Sequence, residues 1–148
     1  MTMSLPPTHS EQAATLAVVA DAGDWSLRAV AALLAADGVE ILSAATPAQL
    51  LDQVERSHPH LVVLGTHLGT TPVEEVLRLL RDMASFDRAT PVLVASAGMV
   101  GEEERIRHLR AGAWESVGLP ASAEELLLRI RRYVEARRSS DTARTQRL

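Results

Sequence analysis

The sequence predicts an α/β domain: an open parallel sheet with helices wound over both faces. Three observations carry this. Short apolar runs alternate five times with longer amphipathic stretches along most of the 148 residues. The run "HLVVLG" (60–65) is apolar almost throughout, as a strand buried on both faces of a parallel sheet requires. Helix-start devices recur between the runs: a capping Ser, Thr or Asp, often with proline or with Glu/Gln close behind.

Taken in order, "TLAVVA" from Thr15 to Ala20 is a short β-branched run and reads as the first strand. Asp24 caps a helix whose apolar residues Leu27, Val30, Leu33 and Leu34 recur at helical spacing, and Gly38 ends it. "VEILSA" is the second strand. Thr46, Pro47 and Gln49 open the second helix. After the third strand, Thr71, Pro72 and Glu74 predict a third capped helix, and "PVLVAS" a fourth strand. "GEEERIRHLRAG" reads as a charged helix with Ile106 and Leu109 as its apolar seam. "WESVG" is a short fifth strand. Ser122 and Glu125 then box the start of a last helix that faces Leu126, Leu127, Ile130 and Val134 inward.

Five strand–helix repeats need helical crossovers between parallel neighbours. A closed eight-fold barrel needs about 200 residues or more. The expected solution is a flavodoxin-like, doubly wound five-stranded sheet in the order 2-1-3-4-5. The expected organisation is a flexible arm at 1–13, one domain at 14–138 and a disordered tail at 139–148, where apolar periodicity stops. Sites in such sheets lie at the carboxyl ends of the strands. The residues of interest are therefore 20–24, 65–69, 96–98 and 118–120.

Composition narrows the chemistry. Hydrophobic residues make up 47% of the chain but aromatics only 3%, so the core is built from Ala, Val, Leu and Ile. There is no cysteine, which removes thiolate catalysis and thiolate metal sites. A net charge of -4 argues against nucleic acid as a partner. No apolar run approaches the roughly 20 residues that span a bilayer. A cytoplasmic protein with no membrane contact is the expectation. All 15 basic residues are arginine; the chain has no lysine.

The order of these motifs resembles a response-regulator receiver domain over about 16–138. "LRAGAWESVGLPASAEELLLRI" is similar to the receiver's Gly-Ala turn, short strand, Lys-Pro step and capped last helix. "PHLVVLG" is similar to the strand that presents the phosphoryl acceptor, and "PVLVASA" to the one that presents the switch hydroxyl. The resemblance implies an aspartyl-phosphate switch with an acidic metal pocket, a lysine, a hydroxyl and an aromatic ring. At the matching positions stand Gly65 for the acceptor, Ala20 and Asp21 for the acid pair, Ser96 for the hydroxyl, Leu119 with Pro120 for the Lys-Pro step, and Ser116 for the ring. A carboxylate nucleophile and a fixed cation are what the chemistry requires, and both are missing. The expectation is a degenerate pseudo-receiver: a regulatory protein–protein interaction module, independent of phosphorylation, with no catalytic residue and no cofactor.

Other residues were weighed against blander roles. Asp21 and Asp24 are the remaining acid candidates for a metal, against ordinary loop and capping roles. Ser96 is expected to bond to nearby backbone. His60 and His67 bracket a strand and lie too far apart to share an ion. Trp25 is expected to fold over the vacated pocket. Trp114, in a turn-like "GAWES", is a candidate anchor for a partner. With Glu102 and Glu103 on the fourth helix and Arg129 and Arg132 on the fifth, it marks the face through which receivers commonly dimerise. Arg137 is grouped with those surface arginines. The alternatives are a small-ligand sensor using the vacated acidic pocket and, more distantly, a cobalamin-binding domain whose Asp-x-His-x-x-Gly motif is absent here. No nucleophile–base pair marks the chain as an enzyme.

Overall fold

The computed structural model describes residues 14–20, 24–120 and 122–146, the last seven of these through the backbone alone. The expected arm at 1–13 and the acid Asp21 lie outside the described residues. The elements run β1 (Leu16–Ala20), α1 (Trp25–Ala36), β2 (Glu40–Ala44), α2 (Pro47–Ser57), β3 (Leu61–Leu64), α3 (Val73–Asp82), β4 (Val92–Ala97), α4 (Glu102–Ala111), β5 (Glu115–Leu119) and α5 (Ala123–Gln146). The five strands form one parallel sheet in the order β2-β1-β3-β4-β5. This is the flavodoxin-like topology that the strand–helix alternation predicts.

Strand side chains alternate between the two faces, which divides the core in two. Val18, Val62, Leu64 and Val94 pack under α2 and α3 against Leu50, Val54, Val76, Leu77 and Leu80. Ala17, Val19, Leu61, Val63, Leu93 and Ala95 pack under α1 and α5 against Leu27, Val30, Leu34, Leu126 and Ile130. The continuous apolar runs are thus explained: both faces of the central strands are covered.

The caps are largely as the sequence suggests. Asp24 accepts from the Ser26 N–H at 2.8 Å, Thr46 from Gln49 N–H at 3.1 Å and Ser122 from Glu125 N–H at 3.3 Å. Gln49 reaches back to the Ala45 N–H at 2.8 Å. Four expectations fail. Thr71 is not a cap: Thr71–Pro72 pairs antiparallel with His67–Leu68, and α3 starts without a side-chain cap. Glu74 and Glu75 in its first turn offset the helix dipole instead.

Secondly, Ile106 and Leu109 do not form the seam of α4; they are 37% and 40% exposed, and His108, 2% exposed, is the residue that packs inward. Thirdly, the tail expected to be disordered from 139 is helical to Gln146. No proline or glycine interrupts that stretch, so nothing stops α5 where its apolar periodicity ends. Fourthly, Arg137 is buried: its Nε donates to Thr90 Oγ1 at 3.1 Å and its guanidinium lies 3.4 Å from Asp87. It pins α5 to the entry of β4 and is withdrawn from the surface group.

Replacing Thr46 by alanine leaves an orphan N–H at the start of α2 and is expected to cost about 1 kcal/mol, read from the midpoint of urea unfolding.

Candidate functional site

The carboxyl ends of β1, β3, β4 and β5 meet at one edge of the sheet. There the parallel register sets Ser96 beside Gly118 and Ala97 beside Leu119. Gly65 follows β3 directly. A β-carbon built on it would stand 3.1 Å from Leu27 Cδ1 and 3.6 Å from the His67 carbonyl. Leu27 is fully buried and comes from α1. The space beside the acceptor position therefore holds a leucine. Trp25 is not the filler; it is 49% exposed on α1.

Leu119, at the lysine position, is buried in the same cluster as Leu27. Its peptide to Pro120 is cis. The loop after β4 closes over β5. Gly98 N–H donates to the Leu119 carbonyl at 2.7 Å, and a β-carbon on Gly118 would lie 2.1 Å from the Gly98 carbonyl oxygen. Only glycine at 118 permits that approach. Gly98 itself has φ 86°, the left-handed region that glycine tolerates.

Ser96 is buried, and among the described residues its Oγ has no hydrogen-bond partner, so the expected bond to backbone is absent. Asp24 uses one carboxylate oxygen on its own helix start, accepting from the Ser26 N–H at 2.8 Å and the Ser26 hydroxyl at 2.6 Å. Ala20 is buried at the end of β1. No cluster of three metal-ligating side chains occurs among the described residues. His60 accepts from the Leu16 N–H at 3.1 Å, a structural link between strands, and His67 lies beside the Thr66 hydroxyl at 3.3 Å.

The second candidate surface is formed by α4, β5 and α5. Trp114 is 37% exposed and meets Tyr133 edge-on, with ring centroids 5.6 Å apart. Tyr133 donates to Glu115 at 2.6 Å. Burial, reinforced by that bond, pushes the phenol up to about 12. Arg129 lies 2.7 Å from Glu125 and 3.6 Å from Glu115, so it is engaged within the chain. Arg132, Glu102 and Glu103 are exposed. No ion pair joins those two glutamates to Arg129 or Arg132 among the described residues. What the sequence did not predict is that Ile106 and Leu109 join this surface as exposed apolar groups.

Between β5 and α4 lies a buried polar pair that sequence reading missed. His108 Nδ1 sits 2.7 Å from Ser116 Oγ, both side chains being buried. Ser116 holds the position the resemblance assigns to an aromatic ring. Here a ring enters from the helix instead. The available signal was a histidine four residues before Gly112 in a helix otherwise made of charged residues, Ile106, Leu109 and Ala111.

An open parallel sheet with these strand-end positions defines a receiver-type α/β domain. No family model matches the sequence. Over 102 residues it is 26% identical to the polar-differentiation response regulator DivK of Brucella ovis, a match spanning 69% of this chain and 81% of that protein. Among solved structures it is similar to a CheY-like receiver domain protein from Methanospirillum hungatei, at TM-score 0.71 and 19% identity over 86% of this chain and 99% of that one. It is also similar to the receiver domain of NtrX from Brucella abortus, at TM-score 0.68 and 24% identity over 81% of this chain and 98% of that one. The fold is therefore that of CheY-like receiver domains, and the sequence is similar to a response regulator over about two thirds of its length. No helix of the described residues is long and apolar enough to cross a membrane.

If Leu27 fills the acceptor site, Leu27→Ala opens a cavity there and is expected to cost about 2–5 kcal/mol, measured by urea unfolding.

Proposed function

We propose that this receiver domain acts without an aspartyl phosphate, as a docking module for a protein partner. The observation that carries the reading is the apolar closure of the strand-end edge: Gly65 against Leu27, and Leu119 buried beside α1. An acyl phosphate needs a carboxylate to receive it and a fixed positive charge to steady the transferred group. At this edge a glycine and a leucine stand in those places, and the chain has no lysine to supply from elsewhere. A pseudo-receiver of this kind keeps the scaffold and gives up the phosphorelay. A cytoplasmic location fits that role.

The docking face is assigned to α4, β5 and α5. Exposed Trp114, Ile106 and Leu109 offer apolar anchors among charges, the composition that interface centres favour. Glu102, Glu103 and Arg132 form its charged border, and Arg129 braces β5 from within. A homodimer through this face is one form the docking takes; a different protein is the other.

A second reading, a small-ligand sensor, has one observation in its favour. A cleft of about 400 Å³ lies between α1 and α5, lined by Trp25, Leu33, Leu119, Pro120 and Leu126. Its lining suits an apolar ligand. Native mass spectrometry of protein taken directly from its source reads this out as a retained mass.

Incubated with acetyl phosphate and Mg²⁺, the protein is expected to keep its unmodified intact mass; a hydroxylamine-labile phosphate adduct would overturn the reading. Trp114→Ala is expected to abolish capture of one specific partner in a pull-down while the protein still unfolds in a cooperative urea transition. An unchanged capture profile removes Trp114 as the anchor.

A further inference from the structure

His108 is 2% exposed, and it is the one residue of α4 that is fully buried. Its Nδ1 meets the Ser116 hydroxyl of β5 at 2.7 Å, and its Nε2 lies 3.8 Å from Glu104 one turn earlier on the same helix. A neutral imidazole suits this arrangement, with one nitrogen accepting from Ser116 and the other N–H directed toward Glu104. Ile106 and Leu109 face outward. Ala111 packs against the core beside it, and Arg81 and Glu74 of α3 hold the helix laterally, but His108 is the one buried titratable side chain that joins α4 to β5.

We propose that protonation of His108 controls the docking of α4: the neutral ring holds the helix against β5, and a second proton releases it. The functional consequence rests on α4 belonging to the docking face proposed above; the release itself does not.

The charges around the ring decide the sign. Glu104 on α4 and Glu74 on α3 favour the imidazolium, and Arg107 on α4 opposes it. Burial outweighs the two carboxylates, so the ring is held below the usual histidine value of 6.5. Glu104 is more than a third exposed and its attraction is screened by water, which is why it does not win. An opened helix exposes the ring and returns it to its ordinary value. The docked state is thus fully favoured above pH 6.5. It loses that advantage as pH falls toward the docked value, because the open state binds a proton that the docked state refuses. One proton changes the open population by at most about tenfold per pH unit.

Amide hydrogen exchange on the full chain, without any partner, tests this between about pH 5.5 and 7.5. After correction for intrinsic exchange, amides of α4 are expected to lose protection on acidification, by up to about tenfold per unit. Amides of β1 and β3 are expected to keep theirs. His108→Leu should remove the pH dependence. Glu104→Gln, a surface change, covers the case in which that variant fails to fold. With less charge favouring the imidazolium in the docked state, its loss of protection should be larger. Constant α4 protection in the parent, an unaltered response in His108→Leu, or a smaller one in Glu104→Gln would each overturn the proposal. If α4 opens with acid while partner capture stays constant across the same range, the release stands and α4 is removed from the docking face.

Discussion

The contact on which the rest of the molecule depends is that of Leu27 with the backbone at Gly65. It joins α1 to the end of the central strand at the place where a receiver keeps its reactive acid. A leucine there is fully buried and needs an apolar surround. Leu119, on the edge strand β5 beyond β4, lies in the same buried cluster. A side chain at 65 would bring its β-carbon within 3.1 Å of Leu27 Cδ1, so Leu27 would have to give way by a few tenths of an ångström.

Where the receiver pattern would place a ring on the strand, this chain has Ser116, and the structure shows what fills that space. Ser116 is too small to pack β5 against α4, and His108 fills the space from the helix side. This reverses the usual economy of a surface helix, in which aliphatic residues anchor and polar ones face water. Here Ile106 and Leu109 are left outside and an imidazole goes in. The same exchange frees apolar groups for a partner and makes the helix's attachment sensitive to a proton.

Much of the fold was legible because its signals are local. The unbroken Leu61–Leu64 run, the Thr46 and Ser122 caps and the Gly38 stop each act within a few residues, and together they dictate five strand–helix repeats and the strand order. That position 65 is glycine and that the chain has no lysine were equally readable, since an absent side chain is absent in any conformation. What could not be read was what moved in to compensate. Leu27 looked like one helical core residue among four, and nothing in its neighbours points to Gly65, which lies 38 positions away. His108 was overlooked because two aliphatic residues in the same helix offered a conventional seam. Only the helix's position over β5 decides which side faces in. Thr71 misled for a related reason: its hydroxyl and the following proline make a good cap signal, but pairing with His67–Leu68 claims that backbone first.

The tail of α5 adds a last step. Arg137 and Arg138 looked like surface charge near the end of the domain, yet Arg137 is buried against Thr90 and Asp87, and Arg138 donates to Thr15 at 2.7 Å. These bonds hold the helix to the entries of β4 and β1, at the amino edge of the sheet, opposite Gly65 and Leu119. Anchored there, α5 can continue to Gln146 without an apolar face of its own. The carboxyl edge is closed by leucines and the amino edge by arginines. Between them lies α4, whose one fully buried side chain is an imidazole. If this receiver retains a movable part, the packing places it there.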